Sequence, residues 1–360
     1  MRKFTSLLCV ITSLFLFSNQ SSASTEVDEI AENISQYINE ADVNRESQIN
    51  KETVSKKAMK SKTQNKTIHS AMRDHKRLSV NRNAGWLQAS SQMLNVSIPD
   101  TKNRAVWLSR ANAKKGENSF IVGLPNTGGT SQTKVTSDGS VVYVDDQHST
   151  DVAVQPFDDS TRVLTILNGA DSPTEYSYSV SLPVGGKIVK SEDGGILVFS
   201  KDGSLIGGFA APWAVDADGK KIPTHYDIRD NSVVQVVEHL GNNTHYPVVA
   251  DPWLWKDLIY SWSWTRDSIG NRLLVYPTTW ARMQLSGYYV GVAGWNELYS
   301  KNPRGSYSGQ NLSVSTNSMK NQYICHQMTL LPAFKSSWNL EQYRPDVGLT
   351  RTIASACNPN

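Results

Sequence analysis

The fold of the middle of this chain is decided by the stretch Ile196-Leu197-Val198-Phe199-Ser200-Lys201-Asp202-Gly203-Ser204-Leu205-Ile206. Apolar runs on both sides flank Lys201-Asp202-Gly203, where the glycine accepts the positive φ of a tight turn. The stretch therefore predicts two antiparallel strands joined as a hairpin. Outward from it, short runs with the two-residue period of strands recur at 135–144, 163–167, 176–182, 224–228, 233–238 and 246–249. Many short strands separated by Asp-Gly and proline-containing turns predict an all-β sandwich-like domain over 84–251.

Two phrases near the end of this region carry a resemblance. They are Pro223-Thr224-His225-Tyr226-Asp227-Ile228-Arg229 and Tyr246-Pro247-Val248-Val249-Ala250-Asp251-Pro252-Trp253. Both resemble the β-rich module that precedes other domains in exported proteins of actinobacteria. The resemblance implies an exported protein in which a further domain follows the β-rich one.

The first residues have the order of a secretory signal peptide. Arg2 and Lys3 precede an apolar run over 7–17, and Ser21-Ser22-Ala23 offers a small-residue cleavage site, so we expect residues 1–23 to be removed. The run is shorter than the roughly 20 apolar residues of a membrane-spanning helix, and we expect no transmembrane segment in the mature chain. The expected localisation is secreted, free or associated with the cell surface.

Residues 24–83 are polar and carry their charges in two blocks, first acidic and then basic. Ile30, Ile34, Tyr37 and Ile38 recur at helical spacing, which predicts a short amphipathic helix near 26–40. The lysine-rich remainder has too few apolar residues for a core. We therefore expect a flexible charged segment, either a solvated linker, a pro-segment or a tether to anionic polymer. The net charge of +3 over 360 residues gives no basic field that would indicate nucleic acid as a partner.

The composition changes at Asp251-Pro252, because seven of the ten tryptophans follow it. Proline also restricts the backbone of the residue before it, which favours a joint at this position. We therefore predict a domain boundary there and a second, small α+β domain over 252–360. Helices are expected near 277–301 and 345–357.

Cys325 and Cys357 are the only cysteines outside the leader. In an exported protein such a pair is more often a disulfide than a thiol nucleophile, and we expect it to close the C-terminal domain. The rival interpretation is a Cys–His nucleophile pair, since His326 follows Cys325. On a strand, adjacent residues point to opposite faces, which would separate this histidine from that thiol.

The cysteines bracket the phrase Trp338-Asn339-Leu340-Glu341-Gln342-Tyr343-Arg344-Pro345-Asp346-Val347-Gly348, with Cys325-His326 before it and Cys357-Asn358-Pro359 after it. This constellation resembles the bacterial domain of unknown function 2599 family, over about 253–360. The family lends no activity, so the resemblance implies an identity for the domain and assigns no residue a catalytic role.

Titratable side chains concentrate in the same phrase. Glu341, Asp346 and His326 are candidates for a general acid and base, with Arg344 beside them, because such chemistry needs titratable groups in divergent environments. The structural alternative is that Arg344 pairs with Glu341 or Asp346 and locks the disulfide loop around Trp338.

Aromatic residues give a second functional interpretation. Exposed rings stack on sugars or on partner side chains, and we expect one exposed binding patch in the C-terminal domain. Its candidates are Trp253, Trp255, Trp262, Trp264 and Tyr343.

Metals and cofactors are not predicted. His225, His239 and His245 could meet in space but lack the close spacing of zinc ligands. Asp216-Ala217-Asp218-Gly219 continues without the further ligands of a calcium loop, so turn chemistry explains it. The sequence also has no phosphate-binding glycine loop and no nucleophile elbow.

These observations favour a secreted bacterial protein that works outside the cell as a binding or interaction module. Its partner would be a cell-wall polymer, a glycan or a surface protein. Two alternatives stay open. One is a secreted hydrolase acting on cell wall or glycan, and the other is an antibacterial or anti-host toxin whose effector is the C-terminal domain.

Overall fold

The computed structural model describes residues 24–44, 76–113, 117–126, 131–145, 149–191, 193–241, 243–283, 287–329 and 335–360. The predicted signal peptide over 1–23 and the lysine-rich stretch over 45–75 lie outside these residues. Helix α1 covers residues 24–44. Between 76 and 256 the described residues form eighteen strands: β1 (Asn81–Asn83), β2 (Trp86–Ser90), β3 (Leu94–Pro99), β4 (Ala105–Arg110), β5 (Phe120–Gly123), β6 (Ser131–Val135), β7 (Val141–Asp145), β8 (Thr150–Pro156), β9 (Ser160–Leu167), β10 (Glu175–Ser179), β11 (Lys187–Lys190), β12 (Ile196–Phe199), β13 (Leu205–Phe209), β14 (Ala214–Val215), β15 (Thr224–Arg229), β16 (Ser232–Val237), β17 (Val248–Ala250) and β18 (Trp253–Trp255).

Three antiparallel sheets share these strands. One contains β1 to β5 in chain order, and a second contains β10, β16 and β15 in that order. The third has ten strands, in which β9 pairs on one side with β8 and on the other with β17 and β18. The predicted hairpin is β12 and β13, and Gly203 in its turn has a φ of 83°.

The two smaller sheets pack over one face of the ten-stranded sheet. Alternate residues of the five-stranded sheet point into this interface, where Leu87, Val96 and Leu108 share one core with Val154 and Val163 of the ten-stranded sheet. Burial of apolar side chains between sheets is the main stabilising contribution in such a layered domain. The predicted all-β sandwich is confirmed.

Helix α1 covers the other face of the ten-stranded sheet. Its buried residues recur at spacings of three and four, as one face of a helix requires. They share a core with residues of β7 and β9: Ala31, Ile34, Ile38 and Ala41 with Val142, Val144, Leu164 and Ile166. The predicted amphipathic helix is confirmed and extends beyond 26–40. The flexibility expected for the lysine-rich remainder falls largely on 45–75, outside the described residues, and stays a prediction.

Strand β18 corrects the domain boundary predicted at Asp251-Pro252. Its residues pair with β9 and β13, so the ten-stranded sheet continues past the proline. The Pro252 carbonyl itself accepts a hydrogen bond from Val163 N at 2.9 Å, because proline lacks only the donor of the ladder and keeps its acceptor. The sheet of the C-terminal domain begins at Ile259.

The C-terminal domain combines one sheet with helices, which confirms the predicted α+β class. Its sheet has the order β19 (Ile259–Arg266), β20 (Asn271–Pro277), β21 (Trp338–Glu341). The helices are α2 (Thr279–Met283), α3 (Tyr288–Lys301), α4 (Thr316–Met328) and α5 (Gly348–Ala354). The predicted disulfide joins Cys325 to Cys357. Among the described helices, none is long and apolar enough to cross a membrane.

Helix α4 was not predicted, and it corrects the strand assumed around Cys325 and His326. Its buried face includes Ser318, Gln322 and Gln327, so the sequence lacks the apolar stripe that would indicate a helix. The buried amides are satisfied instead. Gln322 donates to the Glu341 carbonyl at 3.0 Å and accepts from the Glu341 N–H at 2.8 Å, which fastens α4 to β21.

Candidate functional site

Glu341 and Arg344 form an ion-pair network at the end of β21. The Glu341 carboxylate accepts a hydrogen bond from Arg272 Nε at 3.0 Å and pairs through its other oxygen with Arg344. Arg344 Nη1 also donates to the Pro359 carbonyl at 3.0 Å. Tyr343 is half-buried in the same network, its hydroxyl 3.3 Å from Arg272 Nη2 and its ring beneath Arg344. The network ties the chain end to the disulfide loop, which is the role that the structural alternative predicts.

Asp346 and His326 hydrogen-bond elsewhere. Asp346 accepts from Asn321 Nδ2 at 3.0 Å and from the Gly348 N–H at 3.2 Å, at the start of α5. His326 is buried on α4, where its ring stacks on Trp338 and its Nε2 lies 3.2 Å from the Asn339 carbonyl oxygen. The four residues predicted as an acid–base group therefore do not meet around one exposed position.

His326 gives the domain a stability that is lost in acid. Burial lowers the pKa of its imidazole from 6.5 to about 4. The unfolded chain takes up this proton near pH 6.5 and the folded chain only near pH 4. The free energy of unfolding therefore has its full value above pH 6.5 and falls by about 3 kcal/mol as the pH drops from 6.5 to about 4. We expect His326→Phe, which keeps a ring on Trp338 but does not titrate, to remove this part of the pH dependence in urea unfolding. Parallel pH profiles for the two proteins would contradict the assignment.

The predicted tryptophan patch is not an exposed surface. Trp253 and Trp255 are buried in the ten-stranded sheet, and Trp255 stacks on Trp280 with ring centroids 4.6 Å apart. Trp262 and Trp264 are partly buried against the core of the C-terminal domain. The burial of Trp253 and Trp255 corrects the prediction that they belong to an exposed patch, while ligand binding by the partly exposed Trp262, Trp264 and Tyr343 stays a prediction.

The residues considered for metals take separate partners. His239 hydrogen-bonds a tyrosine hydroxyl at 2.8 Å, His245 pairs with Asp218, and His225 lies near two other carboxylates. Asp216 accepts two N–H groups of its own turn, at 3.1 and 2.8 Å, as turn chemistry predicts. Within the described ranges, no group of three or more His, Cys, Asp or Glu side chains could hold a metal ion.

A cleft of about 530 Å³ lies between the sandwich and the C-terminal domain. Its sandwich wall is formed by the end of β4, the segment before β5 and the turn of the predicted hairpin. Its other wall is the last part of α3, and Lys256 lies between the walls. This lining includes hydroxyl and amide groups, among them those of Asn118, Ser200, Asn296, Tyr299 and Ser300, beside charged side chains such as Asp202.

The two cations of the cleft, Arg110 and Lys256, form hydrogen bonds with neighbouring groups. Arg110 donates to Asp257 through Nε and Nη2, at 2.7–3.0 Å, and reaches Glu117 at 2.5 Å. Although burial opposes the charged form, the hydrogen bond and charge of Asp257 raise the pKa of Arg110 above its ordinary value. Lys256 donates to the Asn118 carbonyl at 2.5 Å, and burial lowers its pKa. The lining carries the cations Arg110 and Lys256 against the carboxyl groups of Glu117, Asp202 and Glu297, so the cleft presents little net charge.

Glu297 is the carboxyl group of the cleft whose pKa is shifted toward neutral pH. It accepts the N–H groups of Leu258 and Ile259 at 2.7 and 3.1 Å, and Lys301 Nζ lies 3.3 Å away. Burial, with the charge of Asp257, raises its pKa from 4.5 to about 7. A carboxyl group with this pKa can give or accept a proton near neutral pH, as general acids and bases do.

Our sequence reasoning missed this cleft, although one signal marks it. On α3, Glu297 follows Val290 and Gly294 at helical spacing and is buried with them, so an acid occupies the buried face of a helix. An acid on such a face indicates a partner or a function. The other members come from distant segments and leave no local pattern.

Comparisons with known proteins assign the C-terminal domain. Residues 259–360 match the family model described as Protein of unknown function (DUF2599), which confirms the predicted resemblance. Uncharacterized proteins of Mycobacterium bovis and of two Mycobacterium tuberculosis strains are each 33% identical over 91 residues, covering 24% of this chain and 55% of the relative. The chain thus spans about half the length of the curated relatives it matches. A solved glycoside hydrolase of family 81 from Clostridium thermocellum aligns with 56% of this chain and 30% of its own, at 10% identity and a TM-score of 0.28, too low to carry an argument.

Proposed function

We propose that this is an exported bacterial protein that binds an uncharged stretch of a cell-envelope glycan in the cleft between its two domains. The observation that carries the proposal is the lining. The amides of Asn118 and Asn296 and the hydroxyl of Ser300 line a cleft whose charged side chains include both signs and nearly balance. Such groups exchange hydrogen bonds with sugar hydroxyls, and Tyr299, 50% exposed, offers a ring for stacking.

Two further observations support this proposal. The volume of about 530 Å³ lies within the range of clefts that hold small organic ligands. The disulfide between Cys325 and Cys357 is a bond typical of oxidising compartments, which agrees with the leader-like order of residues 1–23. Export and the glycan partner are both part of the proposal.

The test is calorimetric titration of residues 24–360 with neutral chito-oligosaccharides, beside co-sedimentation with isolated Gram-positive cell walls. We expect saturable binding that Tyr299→Ala, combined with Asn296→Ala, weakens about tenfold, since stacking and a hydrogen bond are lost. Tyr260→Ala is the matched control, because Tyr260 is also 50% exposed but does not line the cleft. Neutral oligosaccharides that fail to bind, or a Tyr299 variant that binds like the control, would contradict the proposal.

Hydrolysis of the bound glycan is a second candidate, favoured by Glu297. A carboxyl group with a pKa of about 7 is protonated below neutral pH and can donate its proton to the departing glycosidic oxygen. Water would attack the anomeric carbon and lose a proton to solvent, so that each product gains a hydroxyl group. Release of reducing ends in the same mixtures, abolished by Glu297→Gln while binding persists, would support hydrolysis. Binding without release would leave the protein a binding module.

A further inference from the structure

The outer face of the five-stranded sheet carries an aromatic pair far from the predicted patch. Trp86 on β2 and Trp107 on β4 alternate with the buried Leu87 and Val106, so both indoles lie on the solvent side. Their ring centroids are 6.0 Å apart in an edge-on arrangement. At 46%, Trp107 is the most exposed of the ten tryptophans, all of which are described. Because the pair is held by a sheet and not by a loop, it is a rigid surface for stacking. We call it the indole platform.

A basic groove of about 410 Å³ adjoins the indole platform. Among the described residues, its lining includes Lys102, Asn103, Arg104, Asn126 and Ser179, two cations with amides and a hydroxyl, and no carboxylate. Lys102 is more than nine-tenths buried. The lining of the interdomain cleft, by contrast, includes carboxylates.

Arg104 connects the two features. It lines the groove, and its guanidinium carbon lies 5.6 Å from the centroid of the Trp86 ring. The turn that carries it is fixed at its base, where the Pro99 carbonyl accepts the Tyr143 hydroxyl at 2.5 Å and the Asp100 carbonyl accepts Thr133 Oγ1 at 2.9 Å. The indole platform and the basic groove therefore form one continuous surface, with aromatic rings at one end and cations at the other.

We propose that this surface is a second glycan site, which takes a sugar chain bearing anionic groups. Sugar rings stack on exposed indoles, and the Arg104 guanidinium beside them complements a carboxylate or a phosphate on the same chain. Asp100, the carboxylate of the turn, pairs with Arg82 at 2.6 Å and not with Arg104. The site lies apart from the interdomain cleft and goes beyond the function proposed for it.

The experiment titrates residues 24–360 with four probes. Oligogalacturonate carries carboxylates, a poly(glycerol phosphate) teichoic acid carries phosphates, chito-oligosaccharide is neutral, and a single-stranded DNA oligomer is a non-glycan polyanion. We expect at least one anionic glycan to bind, with an affinity that falls as salt rises. The anionic glycan that binds more tightly shows whether the site prefers a carboxylate or a phosphate. Trp107→Ala should weaken that binding about tenfold, and Arg104→Gln should reduce its salt dependence.

The matched controls use a second arginine–aromatic pair. Arg266 lies 5.9 Å from the ring centroid of Tyr307, which is 60% exposed, and neither residue lines the groove. Arg266→Gln and Tyr307→Ala should leave the affinity unchanged, as should Tyr299→Ala in the cleft, which separates this proposal from the previous one. The proposal is overturned if neither anionic glycan binds, if Trp107→Ala behaves like the controls, or if the DNA oligomer binds more tightly than both glycans.

Discussion

Asp42→Ala will destabilise the protein by about 3–5 kcal/mol, because it leaves a buried cation without its principal partner. Asp42 lies on α1, and its two carboxylate oxygens accept hydrogen bonds from Arg162 of β9 at 2.7 and 2.8 Å. The Arg162 guanidinium is enclosed by the rings of Trp213 and Trp253, at 5.5 and 5.1 Å. Although burial opposes its charge, Asp42 raises the pKa of Arg162. Because an arginine side chain keeps its proton in proteins, Arg162 stays charged when Asp42 is removed, and the folded state is destabilised by the unpaired charge.

Urea unfolding of residues 24–360, followed by tryptophan fluorescence, measures this loss. Asp28→Ala is the matched control, since Asp28 lies on the same helix and pairs with Lys134 at 2.8 Å, but is largely exposed. Exposed pairs contribute less than about 1 kcal/mol. The double variant Asp42→Ala with Arg162→Met should lose less than Asp42→Ala alone, because the unpaired charge is then gone. Equal losses in the Asp42 and Asp28 variants would show that α1 does not depend on this pair.

The elements predicted correctly are those whose signal is local. The β12–β13 hairpin is visible because Gly203 follows Asp202 between two apolar runs, and α1 because Ile34 and Ile38 repeat at helical spacing. The phrase between Cys325 and Cys357 identifies its domain in the same way. In each example, one short window contains both the pattern and its physical cause.

The parts that escaped prediction are relations between distant segments. Asp42 and Arg162 are 120 residues apart, and the cleft combines Arg110, Lys256 and Glu297 from three separate segments. Strand β18 belongs to the sandwich because it pairs with β9 and β13. The tryptophan content beyond Asp251-Pro252 had indicated that it belonged to another domain. The composition of a segment describes only its own residues, whereas the pairing of a strand also depends on the strands beside it in the sheet.

The same distinction explains the aromatic residues. Trp253 and Trp255 alternate as predicted, yet both are buried, because the C-terminal domain packs against this part of the sheet. Trp86 and Trp107 alternate in the same way but lie on a face that no described element covers. Alternation therefore predicts which residues share a face, and only the packing of the sheets decides which face meets solvent.

Removing the disulfide should unfold the C-terminal domain preferentially. The bond between Cys325 and Cys357 closes a sequence separation of 32 residues, for which the chain-entropy relation gives about 3–4 kcal/mol. It joins α4 to the segment after α5, and that segment has few other attachments, chiefly Arg344 to Pro359 and to Asn360. We expect Cys325→Ser with Cys357→Ser to lower the midpoint of urea unfolding for this domain while the sandwich keeps its own.

Two measurements separate this expectation from a general loss of stability. Trp338 and Trp295 lie in the core of the C-terminal domain, whereas Trp86 and Trp107 lie on the five-stranded sheet, so single-tryptophan reporters distinguish the two regions. Reduction of the wild type should reproduce the transition of the double serine variant, and a thiol titration in denaturant should find these two cysteines oxidised beforehand. A disulfide that contributes little would leave the reporters of both regions unchanged, and the hydrogen bonds of Arg344 and Gln322 would then suffice to hold α4 and the chain end on β21.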